Sequence, residues 1–382
     1  MNGAEALAYL NNGRKFDLIL LDVMMPKMSG YEVCQKIREK FLPSELPVIM
    51  VTAKNQVQDL VQGLTLGAND YLAKPFTKEE FLARVKTQLD LHRINEVTAK
   101  FVPHEFLRAL GYESITEVGL GDLSHREVSV LFTDIRGYTT LSEQMTPEDN
   151  FRFVNAFHGR MGPVIKRNNG FVNQYLGDAI MAIFPKSPTD ALNASIEMQK
   201  ALSDYNEKRI KDGHVPIRIG VGFHTGPLVM GIIGDENRLD AATIADTVNA
   251  SSRIESLTKH YGASILLSDD SLKKTEDPLS YHIRFLGNVQ VKGKSEPIGI
   301  YECFDGDSPE VLKLKTETQP DFDQGLMHYY GRQFHDALDL FEKILQINPK
   351  DRVVRLFHQK ASEFMVEGVP EDWTGVEKME RK

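Results

Sequence analysis

A chain of 382 residues is too long for one ordinary core and calls for two or three domains. Its 41% hydrophobic and 26% charged residues suit a folded rather than a disordered polypeptide. A formal net charge of −9 without a basic cluster argues against a nucleic-acid partner, and two cysteines far apart, Cys34 and Cys303, offer neither a disulfide framework nor a zinc pattern.

In residues 1–92, FDLILLDV (16–23), PVIMVTA (47–53) and DYLAKPF (70–76) read as short buried strands. Helical patterns separate them, such as GYEVCQKIREK with Val33 and Ile37 on one face. Strands alternating with helices imply a parallel sheet with functional residues at its carboxyl edge, where Asp22, Thr52 and Lys74 fall. No apolar run approaches a membrane span and no secretory leader is evident, so a cytoplasmic chain with no membrane attachment is expected.

Asp22 in LLDVMMPKMSG, Thr52 in VTA and Lys74 in AKPF resemble the phosphoacceptor, switch hydroxyl and lysine of a two-component receiver domain, an α/β flavodoxin-like fold. That resemblance implies a histidine kinase partner. It is incomplete, because a receiver's first strand, acidic Mg²⁺-binding pair and second strand precede this point. MNGAEALAYL matches the helix after them. The expectation is a truncated receiver with FDLILLDV at an unpaired edge, serving as a fragment of a longer product or as a docking surface.

Residues 93–127 read as a helical connector: Ile94, Val97 and Phe101 share helical spacing, Pro103 breaks it, and HEFLRALG ends at Gly111 as a C-cap. From 128 to 304 the order is strand, helix, hairpin, helix, strand, an α+β sheet expected to carry its helices on one face. VSVLFTDI ends at Asp134, GFVNQYLGDAIMAIF turns at Asp178, and Ile217, Ile219, Val221 and Phe223 alternate as a half-buried strand. Phe151, Val154, Met161 and Ile165 mark one face of the first helix.

Two aspartates at strand and hairpin ends can hold divalent cations, and hard oxygen donors suit Mg²⁺ or Mn²⁺. The turn IRGYTT, with Gly137, Tyr138 and Thr139, offers backbone N–H groups to phosphate oxygens. In DTVNASSRIESLTKHYG, Asn249 and Arg253 lie four apart on one helix flank.

FTDIRGYTTLSE, QYLGDAIMAIF, GVGFHTGPLVMGIIGDENRLD and DTVNASSRIE, in this order, resemble the catalytic domain of class III adenylate and guanylate cyclases, with its ferredoxin-like palm. The resemblance implies two metal ions held by Asp134, Asp178 and the Ile135 carbonyl, with Asn249 on the ribose and Arg253 on the transferring phosphorus. It implies Lys292 or Lys294 on the triphosphate, and a head-to-tail homodimer whose sites draw on both subunits. Adenylate cyclases usually carry lysine and aspartate or threonine at the purine-reading positions, and guanylate cyclases glutamate and cysteine. Gln174 and Ala242 stand there, with Thr243 beside the second. Overall similarity favours ATP, converted to cyclic AMP and pyrophosphate. The alternatives are a guanylate or dual-specificity cyclase and a non-catalytic signalling adaptor.

Residues 318–382 resemble one tetratricopeptide helical pair, with Gly325, Tyr329, Phe334, Ala337, Phe341 and Pro349 in pattern. One repeat cannot bury its own face, so this short helical tail should pack on the cyclase segment or its mate, with Trp373 as an anchor.

Overall fold

In the computed structural model, residues 2–12, 14–53, 57–290 and 296–378 are described. They form two compact units, Met1–Gly119 and Leu120–Lys382.

The first unit runs α1 (Gly3–Asn11), β1 (Ile19–Asp22), α2 (Gly30–Arg38), β2 (Val48–Thr52), α3 (Val57–Thr65), β3 (Asp70–Ala73), α4 (Lys78–Thr98) and α5 (His104–Leu110). Its three strands are parallel in the order β1-β2-β3, so β2 is central and buried throughout. Alternation sends Val48 and Met50 into one apolar cluster and Ile49 and Val51 into another, on opposite faces. β1 pairs only with β2, and Leu20 on it is 45% exposed, as expected of an edge. Ser29 and Glu32 form a capping box that starts α2. α4 is continuous over 21 residues, so the connector's first helix is the end of the last receiver helix; no Pro or Gly interrupts KEEFLARVKTQLDLHRINEVT. Gly111, at φ 93°, closes α5 as read.

The second unit is built on a nine-stranded sheet. Its elements are β4 (Leu123–Ile135), α6 (Tyr138–Ser142), α7 (Pro147–Arg167), β5 (Phe171–Leu176), β6 (Ala179–Phe184), α8 (Pro188–Lys211), β7 (Ile219–Gly234), β8 (Leu239–Ile244), α9 (Asp246–Tyr261), β9 (Ile265–Ser268), α10 (Asp269–Lys273), β10 (Ile283–Gln290), β11 (Ile298–Cys303), α11 (Pro309–Tyr330), α12 (Phe334–Ile347), α13 (Arg352–Glu367) and β12 (Glu377–Lys378). The strand order is β12-β10-β11-β9-β7-β4-β6-β5, with β8 added on β7. β4 and β7 pair antiparallel from Leu123↔Gly231 to Ile135↔Ile219, which makes them the spine.

Helices cover both faces of this sheet, not one as expected. Val221, Phe223, Ile265 and Leu267 pack with α7 and α8, whereas Leu266 packs with Ile254 and Leu257 of α9. Glycine decides which face α9 takes: a Cβ on Gly222 would lie 2.1 Å from the Glu255 backbone nitrogen. The helix therefore sits directly on β7 where two alternate positions, Gly220 and Gly222, carry no side chain. Phe151, read onto the buried face of α7, is instead 72% exposed.

The tail has three helices rather than a pair, and α11 starts at Pro309. Gly325, where a Cβ would meet the Phe341 ring at 2.7 Å, lets α11 and α12 close together. Tyr329, Phe334, Ala337 and Phe341 share one core with Ala250, Leu266, Leu286 and Ile300 of the sheet unit. Trp373 meets Tyr329 edge-on at 5.7 Å. A buried network ties tail to sheet: Arg284 of β10 donates to Glu302 of β11 at 2.6 Å and to Asp351 at 2.9 and 3.1 Å. Lys315 of α11 donates to Glu302 at 2.7 Å.

Candidate active site

The pairing of β4 with β6, Thr133↔Ile180, brings the end of one strand beside the tip of the β5–β6 hairpin. That hairpin closes with two residues, Gly177 and Asp178, between the paired Leu176 and Ala179. Gly177 adopts φ 66°, the left-handed conformation such a tight turn demands. The Asp178 carboxylate accepts a 3.0 Å hydrogen bond from the Ile135 N–H, which locks it next to Asp134. Burial pushes the Asp178 carboxyl above its ordinary pKa, and the Asp134 charge adds to that, while the Ile135 N–H pulls the other way.

Asp134 accepts a hydrogen bond from Lys259 Nζ at 2.8 Å through Oδ2, while its Oδ1 is buried with no hydrogen-bond partner. An orphaned buried carboxylate oxygen beside a second carboxylate and a backbone carbonyl is a donor set that fits a hard divalent cation. The positive charge of Lys259 already stands there. Behind Asp134, burial raises the Glu255 carboxyl to about 8, with the Asp134 charge adding, and Arg136 at 3.6 Å opposes the shift.

Gly137, at φ 68°, turns the chain into α6 and leaves its first N–H groups without a side-chain cap. Tyr138 donates from its hydroxyl to Asn150 at 2.9 Å, and Thr139 lies in the same short helix. Asn249 and Arg253 share α9 with Lys259, but Arg253 lies six residues before it and Asn249 ten. At about 1.5 Å per residue, they lie roughly 9 and 15 Å along the axis from the end that holds Asp134. The chain thus brings Asp134, Ile135 and Asp178 together, sets Asn249 in the first turn of α9 and leaves Arg253 at its middle. Gln174 is exposed on β5 beside a bulge; Ala242 and Thr243, half-buried on β8, pair with Gly231 and Met230. Lys292 and Lys294 lie outside the described residues.

In the first unit, Asp22 and Lys74 form a 2.5 Å ion pair, and Thr52 is fully buried at the end of β2. Burial alone would raise the Asp22 pKa, but the hydrogen bonds from Lys74 and the Met24 N–H outweigh it and lower the carboxyl. Among the described residues no group of three His, Cys, Asp or Glu side chains gathers, here or elsewhere. No helix among them is long and apolar enough to cross a membrane.

Sequence reasoning passed over Lys259, Glu255 and Arg136. The i, i+4 spacing of Glu255 and Lys259 on α9 was the available signal, but it reads equally as an exposed helical pair.

Residues 1–86 match the response regulator receiver domain, and residues 122–303 match the adenylate and guanylate cyclase catalytic domain. An adenylate cyclase of Anabaena cylindrica is 43% identical over 209 residues, 53% of this chain and 42% of that protein. The terminal-differentiation-specific adenylate cyclase of Dictyostelium discoideum is 33% identical over 273 residues, 70% of this chain and 13% of that protein. This chain thus spans less than half the length of either curated relative. The crystal structure of the guanylyl cyclase Cya2 aligns at 31% identity and a TM-score of 0.42, covering 49% of this chain and 95% of that one. The chain carries a class III adenylate and guanylate cyclase catalytic domain, with a response regulator receiver domain ahead of it.

Proposed function

We propose that the chain converts ATP to 3′,5′-cyclic AMP and pyrophosphate at the interface of a head-to-tail homodimer. The observation that carries this reading is the seating of Asp178 against the Ile135 N–H, beside an Asp134 oxygen that has no partner. Two Mg²⁺ or Mn²⁺ ions, held by Asp134, Asp178 and the Ile135 carbonyl, would activate the 3′-hydroxyl and neutralise the leaving pyrophosphate. The backbone N–H groups of Gly137, Tyr138 and Thr139 bind phosphate oxygens, and Lys292 or Lys294 adds a cation to the triphosphate. Asn249 orients the ribose so that its 3′-oxygen faces the α-phosphorus, and Arg253 donates to the oxygens that gain charge as the pyrophosphate bond breaks. Orientation and charge stabilisation are the two effects this reaction asks of a protein.

The length of α9 supports a dimer. Asn249 and Arg253 are set back along α9 from the turn that holds Lys259 against Asp134, which fits their serving a partner's carboxylates. Exposed apolar side chains such as Phe151, 72% exposed, and Ile244, 64% exposed, suit a face that a second copy covers. In the receiver, Asp22 is the proposed phosphoacceptor, with Thr52 and Lys74 as its switch residues and a histidine kinase as donor.

Turnover of the purified chain with Mn²⁺, measured as cyclic AMP from ATP and cyclic GMP from GTP, tests the reading. Cyclic AMP that disappears in Asp134→Ala is the expected result. A folded dimer that makes neither product fits the adaptor instead. Gln174 and Ala242 favour a second reading, GTP or dual use: an amide can meet either purine edge and alanine meets neither.

A further inference from the structure

A cleft of about 500 Å³ opens at the C-terminal end of α9, walled by α8, the start of β7 and the N-terminus of α13. Four cationic side chains line it: Arg136, Arg218, Lys259 and Arg352. Lys259 is paired with Asp134, and Arg136 lies 3.6 Å from Glu255. Arg218 and Arg352 have no hydrogen bond or ion pair to their guanidinium groups among the described residues. The one acid on the wall, Asp307, is already taken by Lys315 at 2.6 Å and by Ser264 at 3.1 Å. Neither Asp134 nor Asp178 lines the cleft.

The backbone is shaped to admit these arginines. A Cβ on Gly262 would lie 2.6 Å from Arg352 Cβ and 2.7 Å from its Nε, and a Cβ on Gly220 would collide with the guanidinium of Arg136. Arg136, Arg218 and Arg352 all line this one cleft, and among the described residues only Arg136 of the three has an acidic neighbour, Glu255. Like-charged guanidiniums that line one cleft gain most from a multiply charged oxyanion, which they grip with paired N–H groups.

We infer that this cleft is a binding site for a phosphate group, assembled from the cyclase sheet and the tail, where Arg136, Arg218 and Arg352 take the anion. Arg352 makes the tail a part of the site rather than a packing element alone. An anion here also competes with Asp134 for Lys259. Phosphate binding in the cleft stands independently of nucleotide turnover, because it needs neither carboxylate of the proposed metal pair.

The test uses the full chain with divalent metal removed by a chelator, which silences the metal-dependent site, at constant ionic strength set with chloride. Calorimetric titration with inorganic phosphate and, separately, with AMP reads the affinity. Saturable phosphate binding that weakens about tenfold in Arg218→Ala, and further in the Arg218→Ala, Arg352→Ala double variant, is expected. Both side chains are exposed, and Arg218→Gln gives the same reading should the double variant fold poorly. AMP binding tighter than phosphate and lost in the same variants marks a nucleotide's phosphate as the occupant; equal or weaker AMP binding marks the free anion. Equal affinity in wild type and variants, or no saturation beyond that of chloride, overturns the site.

Discussion

Lys259 Nζ lies 2.8 Å from Asp134 Oδ2, across 125 residues of sequence, and puts an ammonium where the proposed metal carboxylate needs a divalent cation. Lys259 is 53% exposed, so the pair is worth at most about 1 kcal/mol. Lys259→Met removes that competitor. The concentration of Mn²⁺ that half-saturates turnover should fall, by up to about fivefold. A rise would show instead that Lys259 helps to hold the anionic substrate.

Arg284 anchors the tail from inside the sheet. Its guanidinium, fully buried, is shared between Glu302 and Asp351, and burial is outweighed by those two carboxylates so that its pKa rises. Arg284→Met leaves two buried carboxylates, Glu302 with Lys315 as its remaining cation and Asp351 with only the Val353 and Val354 N–H groups among the described residues. Removing one partner of a buried charge network costs about 3–5 kcal/mol, because the remaining charges stay desolvated. Urea denaturation should show a loss of that size, with part of it recovered in Arg284→Met combined with Glu302→Gln and Asp351→Asn. A loss under about 1 kcal/mol would mean that the network relaxes into water.

How far the sequence was legible depended on whether the signal was local. The alternation of Ile217, Ile219, Val221 and Phe223 read as a half-buried strand; all four are buried, but Ile217 precedes β7 and the opposite face, with Gly220 and Gly222, is buried as well. The Asp178 turn and the Gly111 cap were equally readable, since a tight turn and a helix end each demand particular residues at particular places. The face that α9 takes was not readable. It is set by the absence of side chains at Gly220 and Gly222, which leaves no hydrophobic pattern. Nor was the Arg284 network, because arginine in a strand normally signals solvent and its partners lie 18 and 67 residues away. Lys259 was hidden for the same reason: its partner lies 125 residues away on β4, and an exposed helical lysine carries no sign of it.

Glu377 gives the tail a measurable acid dependence. Burial would raise its carboxyl, but hydrogen bonds from His260 and Lys360 outweigh that and hold it at about 2, against an ordinary 4.5. A folded-state pKa below the unfolded one contributes stability above about pH 4.5 that is lost as the pH falls toward about 2. The full contribution is on the order of 3 kcal/mol. The stability difference between wild type and Glu377→Gln should therefore shrink steadily as the pH falls below about 4.5. A difference that does not change with pH would show that Glu377 acts through packing alone.

On the proposed reading, purine choice rests on two side chains that differ from either usual set. Gln174, exposed on β5, offers a flippable amide, and Ala242 on β8 offers no polar atom. Discrimination is strong only when the wrong purine leaves a polar group unpaired, so the wild type should separate ATP from GTP by less than about a hundredfold. Gln174→Lys places a pure donor where adenine N1 accepts and guanine N1–H does not. The ratio of kcat/KM for ATP over GTP should then rise about tenfold, with the change mainly in GTP turnover. Gln174→Glu with Ala242→Cys should move the ratio the other way, because a carboxylate accepts from guanine N1–H and repels the adenine N1 lone pair. If neither change moves the ratio, the base does not sit against β5 and β8, and the reading of Gln174 and Ala242 as the purine-facing pair fails.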